Sequence, residues 1–329
     1  MVHKIIFMRP PQSYGGPGSF QTRLEKFLSN EKYSIEYFSE KRENIRIKDS
    51  VIIVFSSSKY LFWLFKARIK RTKIILRLDG INWEQRFRKL GLRYTIKAYL
   101  DNFITFVIAN TIASDIVYQS HFVKKEWGRY VKKSIKSHVI YNGVQSNEYF
   151  TRKDTQRNGL IMVAEGELYS DPAISILNKI EHQVNVYGKC SSEFKAKVNN
   201  SLVHFKGVVS RTTITEMLPK YSAVLSLELC PACPNIVIEA QMAGTPILCY
   251  DTGSIKELVH PILNPIMKYG ACADLCQTPQ MNHLNIIGEF LLKRFNEYAE
   301  IQLHAKSKFE FEIIGENYLK VIEGVDDGL

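Results

Sequence analysis

Glu239 makes the clearest chemical demand in this chain of 329 residues. It lies in Pro234-Asn-Ile-Val-Ile-Glu-Ala240, where Ile236, Val237, Ile238, Ala240 and Ala243 cover most of a helical surface. A carboxylate in so apolar a helix needs a partner or a ligand. Pro234 and Asn235 mark the start of that helix, and Gly244, just before Pro246, marks its end. Asn235 and Glu239 are four residues apart and so share one face. A buried strand follows, and then Asp251-Thr-Gly253-Ser254 opens a short helix carrying Glu257. The first amides of both helices lack intrahelical acceptors, which suits them to an anion such as a phosphate.

Other residues could serve the same ligand. Lys189, after Gly188 at a strand end, and Arg211, in the loop after Val208-Val209, are cations able to neutralise a diphosphate. In the first half, Gly15-Gly-Pro-Gly-Ser19 follows the first strand and opens the first helix, and Gly15 and Gly16 would let backbone amides approach an anion. The spacing is not that of a dinucleotide fingerprint, and a plain turn is the alternative. Asp79-Gly80 ends a strand, where a carboxylate either meets a ligand hydroxyl in a crevice or caps a turn with Asn82. Ser120 reads as a helix cap and Asn142-Gly143 as a turn. Cys230-Pro-Ala-Cys233 and Cys272-x3-Cys276 have no nearby histidine, so metal and redox readings yield to small buried side chains, and no metal or cofactor is expected.

The elements that must position these groups alternate in the α/β manner. Apolar runs of strand length at 3–8, 51–55, 73–78, 105–109 and 138–141 predict a parallel sheet in a domain over 1–150. Helices are expected between them near 19–30, 59–71, 91–102, 111–115 and 121–128. The polar stretch 151–159 reads as a linker to a second domain, 151–311. Strands there are expected at 160–164, 183–187, 202–205, 223–227, 246–250 and 271–275, with helices near 172–181, 212–220, 235–243 and 254–259. From about 283 onward the chain reads as helical, and a last helix, 312–329, could pack back onto the first domain. Two doubly wound domains in series place a binding site in a cleft between them, beside the carboxyl ends of both sheets.

Charge is divided unevenly. Residues 1–150 carry 27 Lys and Arg against 12 Asp and Glu, whereas the remainder carries 17 against 21. Within 59–97 there are 12 basic and 2 acidic side chains. Such a surface attracts nucleic acid, anionic lipid or a phosphorylated acceptor. No nucleic-acid recognition motif or run of interleaved aromatics accompanies it, which leaves nucleic acid the weaker partner. Tyr60-Leu-Phe-Trp63-Leu-Phe-Lys66-Ala-Arg68-Ile-Lys70-Arg71 joins an apolar front to a cationic tail, and Arg86 extends the band. It reads either as a helix lying on a membrane surface or as an ordinary sheet-covering helix. No apolar run is long enough to span a bilayer, and the first residues read as a strand rather than a secretory signal. Six cysteines, all after residue 189, fit a reducing cytosol and free thiols. The expected location is cytoplasmic, peripheral at a membrane face.

Taken together, these segments resemble glycosyltransferase family 4, the retaining enzymes of the GT-B fold. The resemblance runs through Tyr14-Gly-Gly-Pro-Gly-Ser-Phe20, Ala109-Asn110, Ser120-His-Phe-Val-Lys124, Val139-Ile-Tyr-Asn-Gly-Val144 and Val203-His-Phe-Lys-Gly207. It is most specific in Pro234–Ala240 with Gly244-Thr-Pro246 and Gly253-Ser-Ile-Lys-Glu-Leu258. It implies two Rossmann-like domains facing across a cleft, a nucleoside-diphosphate sugar in the second, and a glycan, lipid-linked or protein acceptor at the first. It also implies that Glu239 binds the nucleotide ribose, that Gly15 and Gly16 lie by the phosphate or reacting centre, that Gly253 and Ser254 supply amides, and that Glu257 holds the base or ribose side. Catalytic roles would then fall to Asp79, Gly16 and Lys189. The chain departs from the family in three places. Seven residues before Glu239 separate it from Pro231, where the family has an acid, and Glu228 is a poor substitute. The Arg and Lys expected in Val163–Tyr169 are missing, leaving Lys189 or Arg211 to replace them, and Asp79 stands near where many relatives have a histidine. A catalytically inactive scaffold, or a nucleic-acid-binding protein using the basic lobe, is the alternative.

Overall fold

The computed structural model describes residues 3–12, 16–41, 45, 47–82, 91–149, 157–165, 171–260, 266–267, 282–292 and 297–325. The chain divides into two compact units, Met1–Asn142 with Phe311–Leu329, and Gly143–Glu310. In the first, β1 (Lys4–Phe7), β2 (Ser34–Tyr37), β3 (Ser50–Phe55), β4 (Lys73–Leu78), β5 (Asp115–Tyr118) and β6 (Lys136–Val139) form a sheet in the order β2-β1-β3-β4-β5-β6. All pairs are parallel. Its central strands are buried, as the Val, Ile and Leu residues that fill β3 and flank Arg77 in β4 require of a sheet covered by helices. The covering helices are α1 (Gly16–Asn30), α2 (Phe38–Lys41), α3 (Leu61–Ile69), α4 (Leu92–Val107) and α5 (His121–Trp127). Chain direction across the sheet reverses between β1 and β3, the point at which such sheets take ligands.

The second unit repeats the plan. β7 (Leu160–Glu165), β8 (Val184–Lys189), β9 (Val203–Gly207), β10 (Ala223–Ser226), β11 (Ile247–Tyr250) and β12 (Ile266–Met267) form a parallel sheet ordered β12-β11-β10-β7-β8-β9, with its reversal between β7 and β10. Around it are α6 (Asp171–Lys179), α7 (Ser192–Lys197), α8 (Arg211–Met217), α9 (Asn235–Met242), α10 (Ile255–Leu258), α11 (Asn282–Leu292) and α12 (Tyr298–Phe309). Gln302 on α12 donates to the Met242 carbonyl at the end of α9, 2.9 Å away, which ties this helix to the unit. After it, α13 (Phe311–Glu323) packs on α1 in the first unit. There Phe20 meets Phe311 and Tyr318 with ring centroids 5.9 and 5.6 Å apart, and Phe55 lies at 6.3 Å.

Several expectations are corrected by the coordinates. The run 105–109 is not a strand: it is the end of α4 and the start of a π-helical turn, Ile108–Ile112, and β5 lies beyond it at Asp115–Tyr118. β2 and α7 lacked any strong apolar period and were not foreseen. The units divide at Asn142 rather than in 151–159, because Val144 already donates to the Phe309 carbonyl at 3.0 Å and bridges Glu310. Cys230 is disulfide-bonded, so six free thiols was incorrect, since spacing along a chain does not disclose pairs that folding brings together. Its partner lies outside the described residues, as do the 271–275 segment, Gly15 and Arg86. Cys190, Cys233 and Cys249 keep their thiols.

Phe20 is wholly buried where α1, α13 and the sheet meet. Phe20→Ala should lower the unfolding free energy by about 3–5 kcal/mol in urea titration, as expected for emptying a packed aromatic site.

Candidate functional site

In the first unit the carboxyl ends of four adjacent strands converge on one buried ionic cluster. Arg77, next to last in β4, is 1% exposed and lies over the rings of Phe20 and Phe55 at 4.3 and 5.2 Å. Its Nη1 donates to Asp79 Oδ1 at 2.7 Å and its Nη2 to Asn142 Oδ1 at 2.5 Å. Ser56 Oγ, just past β3, donates to Asp79 Oδ2 at 2.7 Å, and Gln119 Nε2, just past β5, donates to Oδ1. The Trp127 indole holds the Asp79 carbonyl at 2.9 Å. Asp79 thus neutralises Arg77 first of all. A carboxylate has about four acceptor positions, so three donors leave one for a hydroxyl, and the side chain retains 30% exposure to offer it. Arg77, Ser56, Gln119 and the Asn142 side chain were not foreseen as partners. The available signal was an arginine inside an otherwise apolar strand, since such a charge is almost never buried unpaired.

Gly16 begins α1 and is half-buried. The neighbouring helix start presses against the strand-end loop: a Cβ on Gly18 would lie 2.3 Å from the Gln12 carbonyl oxygen, so only glycine permits this approach. Ser120 caps α5 by accepting from the Val123 amide at 3.2 Å, as its position before that helix suggested.

In the second unit Lys189 ends β8, and Arg211, Asn235 and Gly253 follow the carboxyl ends of β9, β10 and β11 respectively. The doubly wound order puts all four along one edge of the sheet. Glu239, one turn into α9, is 8% exposed, and its partner is Arg211: Nη2 lies 3.4 Å from Oε1. The same nitrogen donates to Glu148 Oε2 at 2.7 Å and to the Tyr149 hydroxyl at 3.3 Å. Arg211 is therefore shared by two carboxylates, and its net charge toward any third anion is offset. Glu148 and Tyr149 have no counterpart in the sequence reading, because they sit more than 60 residues from Arg211 and no local pattern announces them. Lys189 is exposed.

The turn between β11 and α10 is stitched to the loop entering α9. Ser254 N donates to the Pro231 carbonyl at 2.9 Å, and Thr252 Oγ1 accepts from the Cys230 amide at 3.2 Å. Gly253 has φ +61°, and a Cβ there would lie 2.5 Å from the Pro231 nitrogen and oxygen. The expected amide supply from Ser254 is corrected accordingly: that donor is spent within the protein, and the side chain is wholly buried. What the stitch does is set the approach to α9. Pro234 caps α9 without a side-chain bond, and Val237 N returns to the Pro234 carbonyl at 3.2 Å. Glu257 is half-buried, and its carbonyl accepts from Lys308 Nζ. Burial pulls the Lys308 pKa down, opposed by the nearby Glu257 charge.

The basic band expected around Trp63 is only partly a surface. Trp63 is half-buried and packs on Phe38 with ring centroids 4.0 Å apart. Lys66, Arg68, Lys70 and Arg71 are exposed, with Arg68 donating to Ser114 Oγ at 3.1 Å. Among the described residues no group of three or more His, Cys, Asp or Glu could hold a metal ion, and no helix is long and apolar enough to cross a membrane.

No protein-family model matches the chain, and no curated protein does. Solved structures do. HepE from Anabaena, in complex with UDP and glucose, superimposes with a TM-score of 0.70 at 15% identity over 98% of this chain and 100% of that one. Sucrose-phosphate synthase from Thermosynechococcus elongatus gives 0.72 at 10% identity over 98% of both chains. WaaG, a glycosyltransferase involved in lipopolysaccharide biosynthesis, gives 0.70 at 11% identity over 98% of this chain and 100% of that one. At such identities the likeness is one of fold. The chain has the GT-B architecture, two Rossmann-like α/β units in series.

Asp79→Ala should destabilise the first unit by about 3–5 kcal/mol in urea unfolding, since it strands a buried guanidinium. Arg77→Met should cost less, because the Asp79 carboxylate it leaves behind can reach water. In the second unit, burial lowers the His304 pKa below its ordinary 6.5, with the nearby His260 and Lys308 charges adding to the effect. The unfolded chain then takes up the proton first, so stability is full above about pH 6.5 and declines as pH falls below it. His304→Gln should flatten that decline, measured as the urea midpoint between about pH 7 and about pH 5.

Proposed function

We propose that the chain is a retaining glycosyltransferase of family 4 that moves a hexose or similar sugar from a nucleoside diphosphate to an acceptor hydroxyl. The observation carrying this reading is the nearly buried Glu239 beside Arg211 at the carboxyl edge of the second sheet. It stands in a fold shared over nearly the whole chain with a protein that binds UDP and glucose. A carboxylate fixed in this way is suited to a ribose diol, since its oxygens can accept two hydroxyl hydrogens. Arg211 then acts through Glu239, holding it in place. Lys189, exposed at the end of β8, is the cation left to neutralise the departing diphosphate, on the same carboxyl edge of the sheet as the start of α9 and the turn at Gly253.

Breaking the sugar–phosphate bond leaves a diphosphate carrying the bonding electrons and a cationic sugar. Fixed positive charge aimed at that diphosphate stabilises the transition state more than the ground state. No side chain is placed as a convincing nucleophile, so attack comes from the face the phosphate leaves, and the phosphate oxygen takes the acceptor proton. In the first unit, Asp79, through its remaining acceptor position, would hold the acceptor hydroxyl. The acceptor is an anionic or lipid-linked saccharide, matching the basic first unit.

Thermal unfolding with UDP-, GDP- and ADP-glucose tests this. One of the three should give a saturable upward shift. Glu239→Ala should weaken that response by about 10- to 100-fold, the worth of a hydrogen bond to a charged group. Lys189→Ala should slow transfer more than it weakens binding. No response to any nucleotide-sugar, with the protein folded, would defeat the reading; binding without turnover would instead make the chain an inactive scaffold.

A further inference from the structure

Helix α4 is turned inside out. Leu92, Ile96, Tyr99, Leu100, Phe103 and Phe106 recur at spacings of three and four, and so form a single stripe along it. A surface helix of a globular protein buries such a stripe. Here it faces outward, with Leu92 74%, Phe103 61% and Ile96 57% exposed. The side toward the protein carries Ala98 and Thr105, both buried, and Asp101, which accepts from Ser57 Oγ at 3.2 Å. Asn102 is paired with the backbone of Asn82. These polar anchors fix the helix in the reversed orientation, so the exposed stripe is part of the folded state.

The stripe does not stand alone. On α3, Phe62, Phe65 and Ile69 also face outward, and α3 packs on the π-helical turn that continues α4. Between α4 and α5 a groove of about 190 Å³ is lined by Ile81, Asn102, Phe103, Phe106, Trp127 and Tyr130, and leads the apolar surface inward. Exposed cations share these helices: Arg93 and Lys97 on α4, Lys66 and Arg68 on α3, and Lys70 at its end.

We propose that α4, with the outer edge of α3, lies in the plane of an anionic lipid bilayer. A helix of 16 residues is about 24 Å long, too short to span the hydrocarbon but suited to lying along its boundary. The stripe enters the acyl region while the flanking lysines and arginines meet the headgroups. Charge selects this occupant over a second copy of the chain. Residues 1–150 carry 27 basic against 12 acidic side chains, so two such faces repel each other, whereas acidic lipid is attracted to both. The inference is independent of the sugar chemistry, because binding to lipid requires no nucleotide.

The test is co-sedimentation of the full chain with phosphatidylcholine vesicles, with and without phosphatidylglycerol. Binding is expected only where phosphatidylglycerol is present. The double variant Ile96→Glu, Phe103→Glu should reduce bound protein at least tenfold, and Lys66→Glu with Lys70→Glu should reduce it as well. Both altered sites are exposed, so thermal unfolding should match the parent and report that the fold is intact. Equal binding by parent and double variant would overturn the proposal. So would a parent that ignores phosphatidylglycerol, or one that light scattering shows to be a dimer dispersed by the same two substitutions.

Discussion

The first unit depends on a guanidinium sealed away from water. Arg77 projects from the middle of a buried sheet, where an unpaired charge would cost more than a small domain can spare. Everything around it answers that demand: two aromatic rings below, a carboxylate two residues on, an amide oxygen from the end of β6, and a serine and a glutamine locking the carboxylate. Because the partners come from four neighbouring strand ends, meeting the charge also registers those ends against one another. The edge of the sheet where a ligand would be met is thereby rigid, and Asp79 is preorganised by a structural duty.

The second unit uses the same device at smaller scale. Arg211 opens α8 and spans Glu148 and Glu239, so two carboxylates that would otherwise compete for water share one cation. A cation shared in this manner offsets the burial of a carboxylate in an apolar helix without tying up all of its acceptor positions. The Gly253–Pro231 contact and the Ser254–Pro231 bond hold the neighbouring loops to the same frame.

Helix α4 shows how an apolar pattern can mislead. The run Thr105-Phe-Val-Ile-Ala109 has the β-branched and aromatic content of a strand, and reading it as one is what displaced β5 by several residues. In fact the run is the end of a helix that buries Thr105 and Ile108, turns Phe106 outward with the rest of its apolar stripe, and anchors itself through polar residues. Pattern alone records which residues lie together on a face. Whether that face meets the protein or something outside it depends on what the opposite face can bond to, and that depends on Ser57 and Asn82, far away along the chain.

The α/β alternation, nearly all the strands of the second sheet, the helix opening at Asn235, and the gathering of Lys189, Arg211, Glu239 and Gly253 after strand ends were all legible in the amino-acid order. These are consequences of local period, of turn residues and of the rule that parallel strands present their carboxyl ends together. The pairing of Arg77 with Asn142, of Arg211 with Glu148, the spent amide of Ser254, the disulfide at Cys230 and the outward stripe of α4 were not. Each joins groups separated by tens of residues, and a charge or donor carries no mark of which distant partner will satisfy it. Only the packed chain decides that, because only packing sets the distances over which such partners act.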